Sequence, residues 1–234
     1  MQYTVQLLDF HAHILPHMDH GSSRTATAHG QLELIHAAGV SEVCATSHFY
    51  PQSTLPDRFL SERAMSRERL LSTYGERPRP RLLMGAEVLI CPRLEEMEGL
   101  RELCVEGTNV LLLEMPFTNR AWDRELYSTV REIRNMGILP VLAHVDRYPR
   151  ANIERLFGEG MVGQLNATSL DRWIKPRHLL RWIDEGYIVA LGSDLHGSDP
   201  VAYRPFEKFV HSNPSAVQAI MARTHDLLKD AVRY

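Results

Sequence analysis

Short apolar runs alternate with segments of helical periodicity along most of the chain. The runs are rich in Leu, Val, Ile and Ala, which is typical of buried strands. Between them, apolar residues recur at helical spacing among charged ones. We predict strands at residues 7–14, 42–47, 81–90, 109–115, 138–145, 161–167 and 187–193. We predict helices at about 24–38, 57–74, 93–104, 122–136, 150–157, 176–185, 200–211 and 214–230.

The regular alternation of strands and helices predicts the fold class. Strands that are joined through helices pair in parallel, so the chain is expected to be an α/β protein. Gly39, Gly137 and Gly186 stand just past predicted helix ends, where a left-handed residue favours glycine. Polar residues at the strand ends favour a closed sheet over an open one. We therefore predict a distorted TIM-like (β/α)7 barrel, with residues 1–234 forming a single domain.

Composition narrows the function classes. The chain has 234 residues, 44% of them apolar, which is enough for a substantial core. The formal net charge of −3 lacks the excess of positive charge that is typical of proteins binding nucleic acid or a membrane surface. No apolar run has transmembrane length, and the N-terminus does not resemble a signal peptide. Because Cys44, Cys91 and Cys104 form no CxxC pair, we expect a reducing, cytoplasmic location, without membrane insertion or nucleic-acid partner.

Residues 7–14, Leu-Leu-Asp-Phe-His-Ala-His-Ile, place two histidines on one predicted strand. Side chains alternate between the faces of a strand, so His11 and His13 point the same way, together with Asp9. Two imidazoles held side by side on a rigid strand are a ready pair of metal ligands. An isolated HxH pair is equally compatible with core or surface histidines, so the interpretation depends on the other strands.

The other strands also end in residues that bind metals. In an α/β barrel, the carboxyl ends of the strands meet at one mouth. A carboxylate inside an apolar run is costly unless it is paired or bound to a metal. Each residue taken singly fits a buried ion pair or a core histidine, but their coincidence predicts a metal cluster. A set of His, Asp and Glu without Cys suits Mn, Fe or Zn. The residues are His11, His13, His48, Glu87, Glu114, His144, Asp194 and His196.

These residues lie in six motifs: Asp9-Phe-His-Ala-His-Ile-Leu-Pro, Thr46-Ser-His48, Gly85-Ala-Glu87, Leu113-Glu-Met-Pro116, Pro140-Val-Leu-Ala-His144-Val-Asp-Arg147-Tyr148 and Ser193-Asp-Leu-His196. A seventh motif, Met18-Asp-His-Gly21, follows the first. In order and spacing they resemble the polymerase-and-histidinol-phosphatase (PHP) superfamily. Within it, they most resemble the bacterial protein-tyrosine phosphatases that regulate capsule and exopolysaccharide synthesis. The resemblance covers nearly the whole chain and implies a PHP-type metallophosphatase domain.

The resemblance implies three divalent metal ions, with Mn favoured and Fe or Zn as alternatives. One position departs from the family, in which an Asp-Asp-Gly turn usually supplies a ligand to the third ion. Here the turn reads Asp19-His20-Gly21, so His20 takes the ligand position and favours a softer ion. The implied ligands are His11, His13, Glu87 and Asp194 for the first ion, Glu87, Glu114 and His144 for the second, and His20, His48 and His196 for the third.

The implied reaction is hydrolysis of phosphotyrosine by hydroxide that the metal ions generate near neutral pH. Arg147 matches a family arginine that grips phosphate. Arg204 is the second candidate. We expect it in the loop after His196, although the helix predicted at about 200–211 also includes it, and it equally fits a surface arginine. Since a phenolate is a fairly good leaving group, modest general-acid help from His48 or His196 would suffice.

The implied substrate is a phosphotyrosyl protein, specifically the autophosphorylated tail of a bacterial tyrosine kinase that controls polysaccharide export. Phe49, Tyr50 and Arg120 follow predicted strands and are candidates to contact the tyrosine ring or its peptide, although each also fits ordinary loop packing. A homo-oligomer is compatible with the sequence, which defines no interface.

Three other functions compete with this one. The chain fits a phosphatase for small phosphomonoesters such as histidinol phosphate. A TatD-like metal-dependent nuclease also begins with HxH, although the chain lacks a basic groove. An inactive relative would act as a binding or scaffold domain. A cysteine-dependent tyrosine phosphatase is excluded, because none of the cysteines is followed six residues later by the arginine that this chemistry needs.

Overall fold

Parallel strands form a closed barrel in the computed structural model, which describes residues 6–118, 122–173 and 175–230. All strand pairs in this part of the chain are parallel, as the alternation of strands and helices predicts. The fold class is therefore confirmed as a distorted (β/α)7 barrel. The strands are β1 (Leu8–Ala12), β2 (Glu42–Ala45), β3 (His48–Phe49), β4 (Arg81–Met84), β5 (Glu87–Leu89), β6 (Val110–Glu114), β7 (Leu139–Leu142), β8 (Val162–Asn166) and β9 (Ile188–Gly192).

The strand predicted at 81–90 is interrupted halfway, and the strand predicted at 42–47 is followed by a further short strand just past its predicted end. Residues 46–47 separate β2 from β3, and residues 85–86 separate β4 from β5. Backbone bonding continues across both breaks, since Glu87 N donates to Ser47 O over 3.0 Å. Each pair therefore occupies one position, and the nine strands fill seven positions around the barrel.

The barrel closes between its first and last strands. Just beyond β9, Asp194 N donates to His11 O over 2.7 Å, and His13 N donates to Leu195 O over 3.1 Å. A parallel bridge also joins Ala12 to Leu195. The first strand and the segment just after the last strand thus meet at the HxH segment, where the candidate ligands lie.

Seven helices in the described residues surround the strands, and apolar side chains between the two layers form the core. Gly39, Gly137 and Gly186 follow helix ends with φ of 78°, 81° and 85°, as predicted. None of these helices has the length and hydropathy needed to cross a membrane. The helices are α1 (Thr25–Ala37), α2 (Pro56–Tyr74), α3 (Arg124–Asn135), α4 (Arg150–Gly158), α5 (Arg177–Asp184), α6 (Pro200–Ser212) and α7 (Pro214–Asp230).

The helix predicted at 93–104 is wrong. This segment forms two short 3₁₀ turns, at Leu94–Glu96 and Arg101–Leu103. Arg93 and Gly99 have φ of 61° and 82°, left-handed values that a continuous right-handed helix excludes. The apolar spacing that suggested a helix instead belongs to two separate turns, which bury Leu94 and Leu103.

Candidate metal centre

Glu87 lies at the centre of a group of imidazoles. Its Oε1 atom is 2.7 Å from His144 Nε2. Its Oε2 atom is 2.9 Å from His48 Nδ1 and 3.2 Å from His11 Nε2. His13 Nε2 is 3.3 Å from the same oxygen. One buried carboxylate at the start of β5 therefore touches histidines from four positions of the chain, as predicted from the strand ends.

The outer nitrogens of the HxH pair are held by partners that fix their orientation. His13 Nδ1 is 2.8 Å from Asp19 Oδ2, and His11 Nδ1 is 3.1 Å from Gln164 Oε1. When each Nδ1 donates to its oxygen, each Nε2 presents a lone pair inward. The two Nε2 atoms are 3.1 Å apart. Two lone pairs at this distance, beside carboxylates, fit a shared cation.

Asp194 completes the group around the HxH pair. Ligand atoms of His11, His13 and Asp194 lie within 4.8 Å of one another. The second carboxylate oxygen of Asp194 accepts hydrogen bonds from Arg147 and, over 3.1 Å, from Asn166 Nδ2. Asp194 itself has a φ of 54°, an unusual backbone value that turns its side chain back toward β1.

Two further groups have ligand atoms within the same 4.8 Å spacing. Glu87 and Glu114 form one with His48, and His144 Nε2 is 3.8 Å from Glu114 Oε1. The other contains His13, His48 and His196. The group of His13, His48 and His196 shares His13 with the group around Asp194 and His48 with the group around Glu114, so the three groups form one continuous cluster.

His20 lies at the solvent edge of this cluster. Its exposed ring stacks on those of His196 and His48, with centroids 4.5 Å and 5.1 Å apart. His13, rather than His20, completes the group of close ligand atoms with His48 and His196. The role of His20 as a ligand stays a prediction.

The cluster contains buried atoms that no described residue satisfies. Glu87 Oε2 and His48 Nδ1 are buried and lie 2.9 Å apart without hydrogen-bond geometry, and His196 Nε2 is buried without a hydrogen-bond partner in the described part of the chain. A buried polar atom without a partner destabilises a fold by roughly 1–3 kcal/mol. His196 Nδ1 is 2.9 Å from Asp194 O, which leaves the Nε2 lone pair free. The residues present therefore fit bound cations.

Two of the imidazoles also have pKa values that suit metal binding, whereas the facing carboxylates raise the pKa values of His11 and His13 against the effect of burial. Burial, together with His13, lowers the pKa of His196 to about 4, and burial lowers the pKa of His144. Both imidazoles are therefore neutral near pH 7, the form that binds metals. Burial and the neighbouring carboxylate of Glu87 raise the pKa of Glu114 to about 7. A nearby dication would favour its ionised form.

The cluster opens into a cleft of about 540 Å³. Arg147, on a 3₁₀ turn just after β7, projects into this cleft and is half-exposed beside Asp194. A guanidinium next to a metal cluster is well placed for an anionic substrate. The lining residues are His20, His48, Tyr50, Glu87, Glu114, Phe117, His144, Arg147, Asp194 and His196.

Some predicted contacts lie elsewhere. Arg204 is not in a loop: it is exposed on α6, because the helix begins at Pro200 after an Asp199 cap, and the described cleft lining does not include it. Its binding of phosphate stays a prediction. Phe49 is fully buried in β3, on the opposite face from His48, and packs on Phe59. Arg120 lies outside the described residues.

The supporting residues Asp19, Gln164 and Asn166 were not predicted. Gln164 Oε1 accepts from His144 N over 2.7 Å as well as contacting His11, and its amide donates to Asn166. One strand therefore orients ligands from β1, β7 and β9. Two polar residues at alternate positions of the apolar run 161–167 were the available signal.

Gly21 allows the turn after the HxH segment to approach its histidine. A Cβ atom on Gly21 would lie 2.1 Å from His13 Cβ and 2.8 Å from His13 O. We expect Gly21→Ala to displace His13 and lower metal content and hydrolytic activity by about 10- to 100-fold. Metal analysis and turnover of p-nitrophenyl phosphate measure both. Gly158→Ala is the control, since nothing lies within 4 Å of its Cβ, and equal effects would contradict the prediction.

A parallel barrel whose strand ends gather imidazoles and carboxylates beside a cleft that holds Arg147 defines a (β/α) barrel with a candidate metal centre. The sequence profile of the family described as capsular polysaccharide synthesis, CpsB/CapC, matches residues 7–204. The chain belongs to this family. The match confirms the resemblance drawn from the motifs.

Two curated relatives cover most of the chain. The tyrosine-protein phosphatase CpsB of Streptococcus pneumoniae is 22% identical over 217 residues, 82% of this chain and 84% of the relative. The tyrosine-protein phosphatase YwqE of Bacillus subtilis is 27% identical over 205 residues, 81% of this chain and 77% of the relative. Both match over nearly the same share of the chain as the family profile.

Solved structures support the fold. A structure from work on YwqE of Bacillus subtilis and CpsB of Streptococcus pneumoniae, described as unique metal-dependent tyrosine phosphatases, superposes with a TM-score of 0.75 at 20% identity. It covers 97% of this chain and 96% of that one. A TatD-family hydrolase from Entamoeba histolytica has a TM-score of 0.57 at 12% identity, covering 95% and 98%. The shared architecture is the distorted barrel.

Proposed function

We propose that this protein is a metal-dependent tyrosine-protein phosphatase, a phosphoric monoester hydrolase of capsule or exopolysaccharide synthesis. One observation carries the proposal. Unpartnered lone pairs of buried histidines and carboxylates converge at a cleft that also holds an arginine. That combination suits a dianionic phosphoryl group, and the curated relatives of the same family bear the phosphatase name.

The ligands are proposed as three sets, of which the first two share Glu87. Divalent ions bound there would activate water and neutralise phosphoryl oxygens. Mn is the favoured ion for a set of imidazoles and carboxylates, with Fe and Zn as alternatives. The sets are His11, His13, Glu87 and Asp194, then Glu87, Glu114 and His144, then His20, His48 and His196, to which the short distances add His13.

The chain's own groups would position the ester. Arg147 would hold the phosphoryl oxygens through its guanidinium, while its bond to Asp194 keeps it at the cleft. His48 and His196 are the candidates for proton donation to the phenolate oxygen, because both line the cleft. Arg204 remains a second phosphate contact in the proposal, reached from α6.

The proposed substrate is a phosphotyrosyl protein, in particular the tail of a bacterial tyrosine kinase in the cytoplasm. Residues 1–234 would act as one PHP-type metallophosphatase domain, alone or as a homo-oligomer. We would compare turnover of a phosphotyrosyl peptide, histidinol phosphate and single-stranded DNA by the Mn-loaded protein. Preferred hydrolysis of the peptide is expected. Preferred hydrolysis of histidinol phosphate or DNA would overturn the proposal, as would metal-loaded protein that hydrolyses none.

Replacing Arg147 tests the phosphate contact. We expect Arg147→Ala to lower kcat/KM for a phosphotyrosyl peptide by about 10²-fold, because one preorganised donor to the transferring group is lost. Arg147→Lys would recover part of the activity, since a lysine keeps the charge but not the two-pronged geometry. Arg150, which pairs with Glu154 on α4, supplies the control variant Arg150→Ala. Equal losses in both alanine variants would contradict the assignment.

A further inference from the structure

Two aromatic rings lie over the proposed ligand imidazoles at the cleft. The Tyr50 ring stacks on His48, with centroids 5.3 Å apart and planes at 18°. The Phe117 ring stacks on His144, with centroids 5.8 Å apart and planes also at 18°. The two imidazoles contact different oxygens of Glu87, so the aromatic rings flank the central carboxylate.

Both rings keep a substantial part of their surface in solvent. Tyr50 is 38% exposed and Phe117 is 58% exposed. A large aromatic side chain gains from burial, so exposed rings lining a polar cleft mark a surface that a ligand covers. They follow β3 and β6 and therefore approach from two different sides of β5.

Neighbouring aromatic residues hold the Phe117 ring in its position. Its ring packs on Tyr148 at 5.5 Å, and Trp122 packs on Tyr148 at 5.7 Å. The Tyr148 hydroxyl accepts from Met115 N over 2.9 Å, and Trp122 Nε1 donates to Pro116 O over 2.8 Å. Tyr148 and Trp122 are thus hydrogen-bonded to the segment just after β6, which also carries Phe117.

We propose that Tyr50 and Phe117 are specificity-determining residues, which bind the flat ring of an aryl phosphate between them while the metal centre holds its phosphoryl group. The proposal rests on the proposed phosphatase function and assigns its preference for an aromatic ester to two side chains. Offset or edge contacts between aromatic rings contribute beyond the area that they bury. A puckered aliphatic ring of the same size forgoes this contribution.

Two non-hydrolysable ligands isolate this effect. Benzylphosphonate and cyclohexylmethylphosphonate carry the same anionic group and six-membered carbon ring, and only the first ring is flat. Calorimetric titration of the metal-loaded protein is expected to show roughly 5-fold tighter binding of benzylphosphonate, the scale of one or two aromatic contacts. The double variant Tyr50→Leu/Phe117→Leu, which keeps apolar side chains, is expected to lose this preference.

The matched control is the exchange variant Tyr50→Phe/Phe117→Tyr. It keeps an aromatic ring at both positions and is expected to keep the preference for benzylphosphonate. Leu55→Ala, 74% exposed on the same side of the barrel and absent from the cleft lining, is expected to keep it as well. Metal content and thermal melting of each variant show that the centre is intact.

Equal affinities of the wild-type protein for the two phosphonates would overturn the proposal, whether or not the leucine variant folds. So would a preference that persists in a folded leucine double variant, or a metal-loaded double variant that binds neither ligand. Because binding is measured without turnover, these outcomes are separate from failure of the phosphatase function. That failure would appear as wild-type protein that binds phosphonates but does not hydrolyse p-nitrophenyl phosphate.

Discussion

Glu87→Gln is expected to lower kcat/KM for a phosphotyrosyl peptide by roughly 10³-fold while leaving the fold intact. The carboxylate contacts four imidazoles and is the proposed bridge between two ions. The amide has nearly the same shape but carries no charge, so it binds dications poorly. A bound dication stabilises the charge of the transition state by several kcal/mol, and the variant is expected to lose this stabilisation. Because about 1.4 kcal/mol of activation free energy corresponds to a factor of ten in rate, the loss gives this magnitude.

Steady-state kinetics and metal analysis of purified Glu87→Gln check the expectation. Glu42→Gln is the matched control, because Glu42 begins β2 and pairs with Arg81 over 3.0 Å, at the end of the strand away from the cleft. The control should retain wild-type turnover and metal content. Wild-type activity in Glu87→Gln would remove the central ligand from the proposed mechanism.

Chelation is expected to abolish turnover and to lower the melting temperature, with both restored when Mn is added back. Without cations, the buried carboxylates of Glu87 and Glu114 repel each other, and the charge of Asp194 is balanced only by Arg147 and the neighbouring imidazoles. An ion present at 100 times its dissociation constant stabilises the folded state by about 2.7 kcal/mol. For a domain of this size that corresponds to roughly 5–10 °C in melting temperature.

Differential scanning calorimetry with and without chelator measures this shift, and Glu87→Gln supplies the comparison. The variant should show a smaller shift than the wild type, because it has lost part of the site. A wild-type protein whose melting temperature and turnover are both unaffected by chelator would contradict metal dependence altogether.

The barrel was largely predictable because buried parallel strands leave a strong sequence signal. Each predicted strand contains an observed one, although local geometry shortens or divides it. The breaks after β2 and β4 were not predicted, because they depend on hydrogen bonding between neighbouring strands rather than on residue type. The helix predicted at 93–104 failed for a similar reason, since only the left-handed residues Arg93 and Gly99 reveal the interruption.

Site residues were predictable where chemistry and position coincide, as for histidines at strand ends. Residues that orient the candidate metal ligands were harder to identify. Asp19 lies in a turn, where aspartate is common anyway, and Gln164 resembles any polar residue within a strand. Phe117 gave no signal, because an aromatic residue after a strand usually packs into the core. Its exposure follows from the arrangement of Tyr148 and Trp122 beneath it.

Closure of the barrel between β1 and β9 has a consequence for the order of assembly during synthesis. His11 and His13 leave the ribosome early, whereas Asp194 emerges only after most of the chain has been made. Contacts of such long sequence separation form late and slowly in folding. A nascent chain would therefore carry an incomplete chelating surface until β9 docks and α7 packs on it. On the proposed function, ion binding would then be the closing event of maturation, because the ligand set stays incomplete until Asp194 reaches β1.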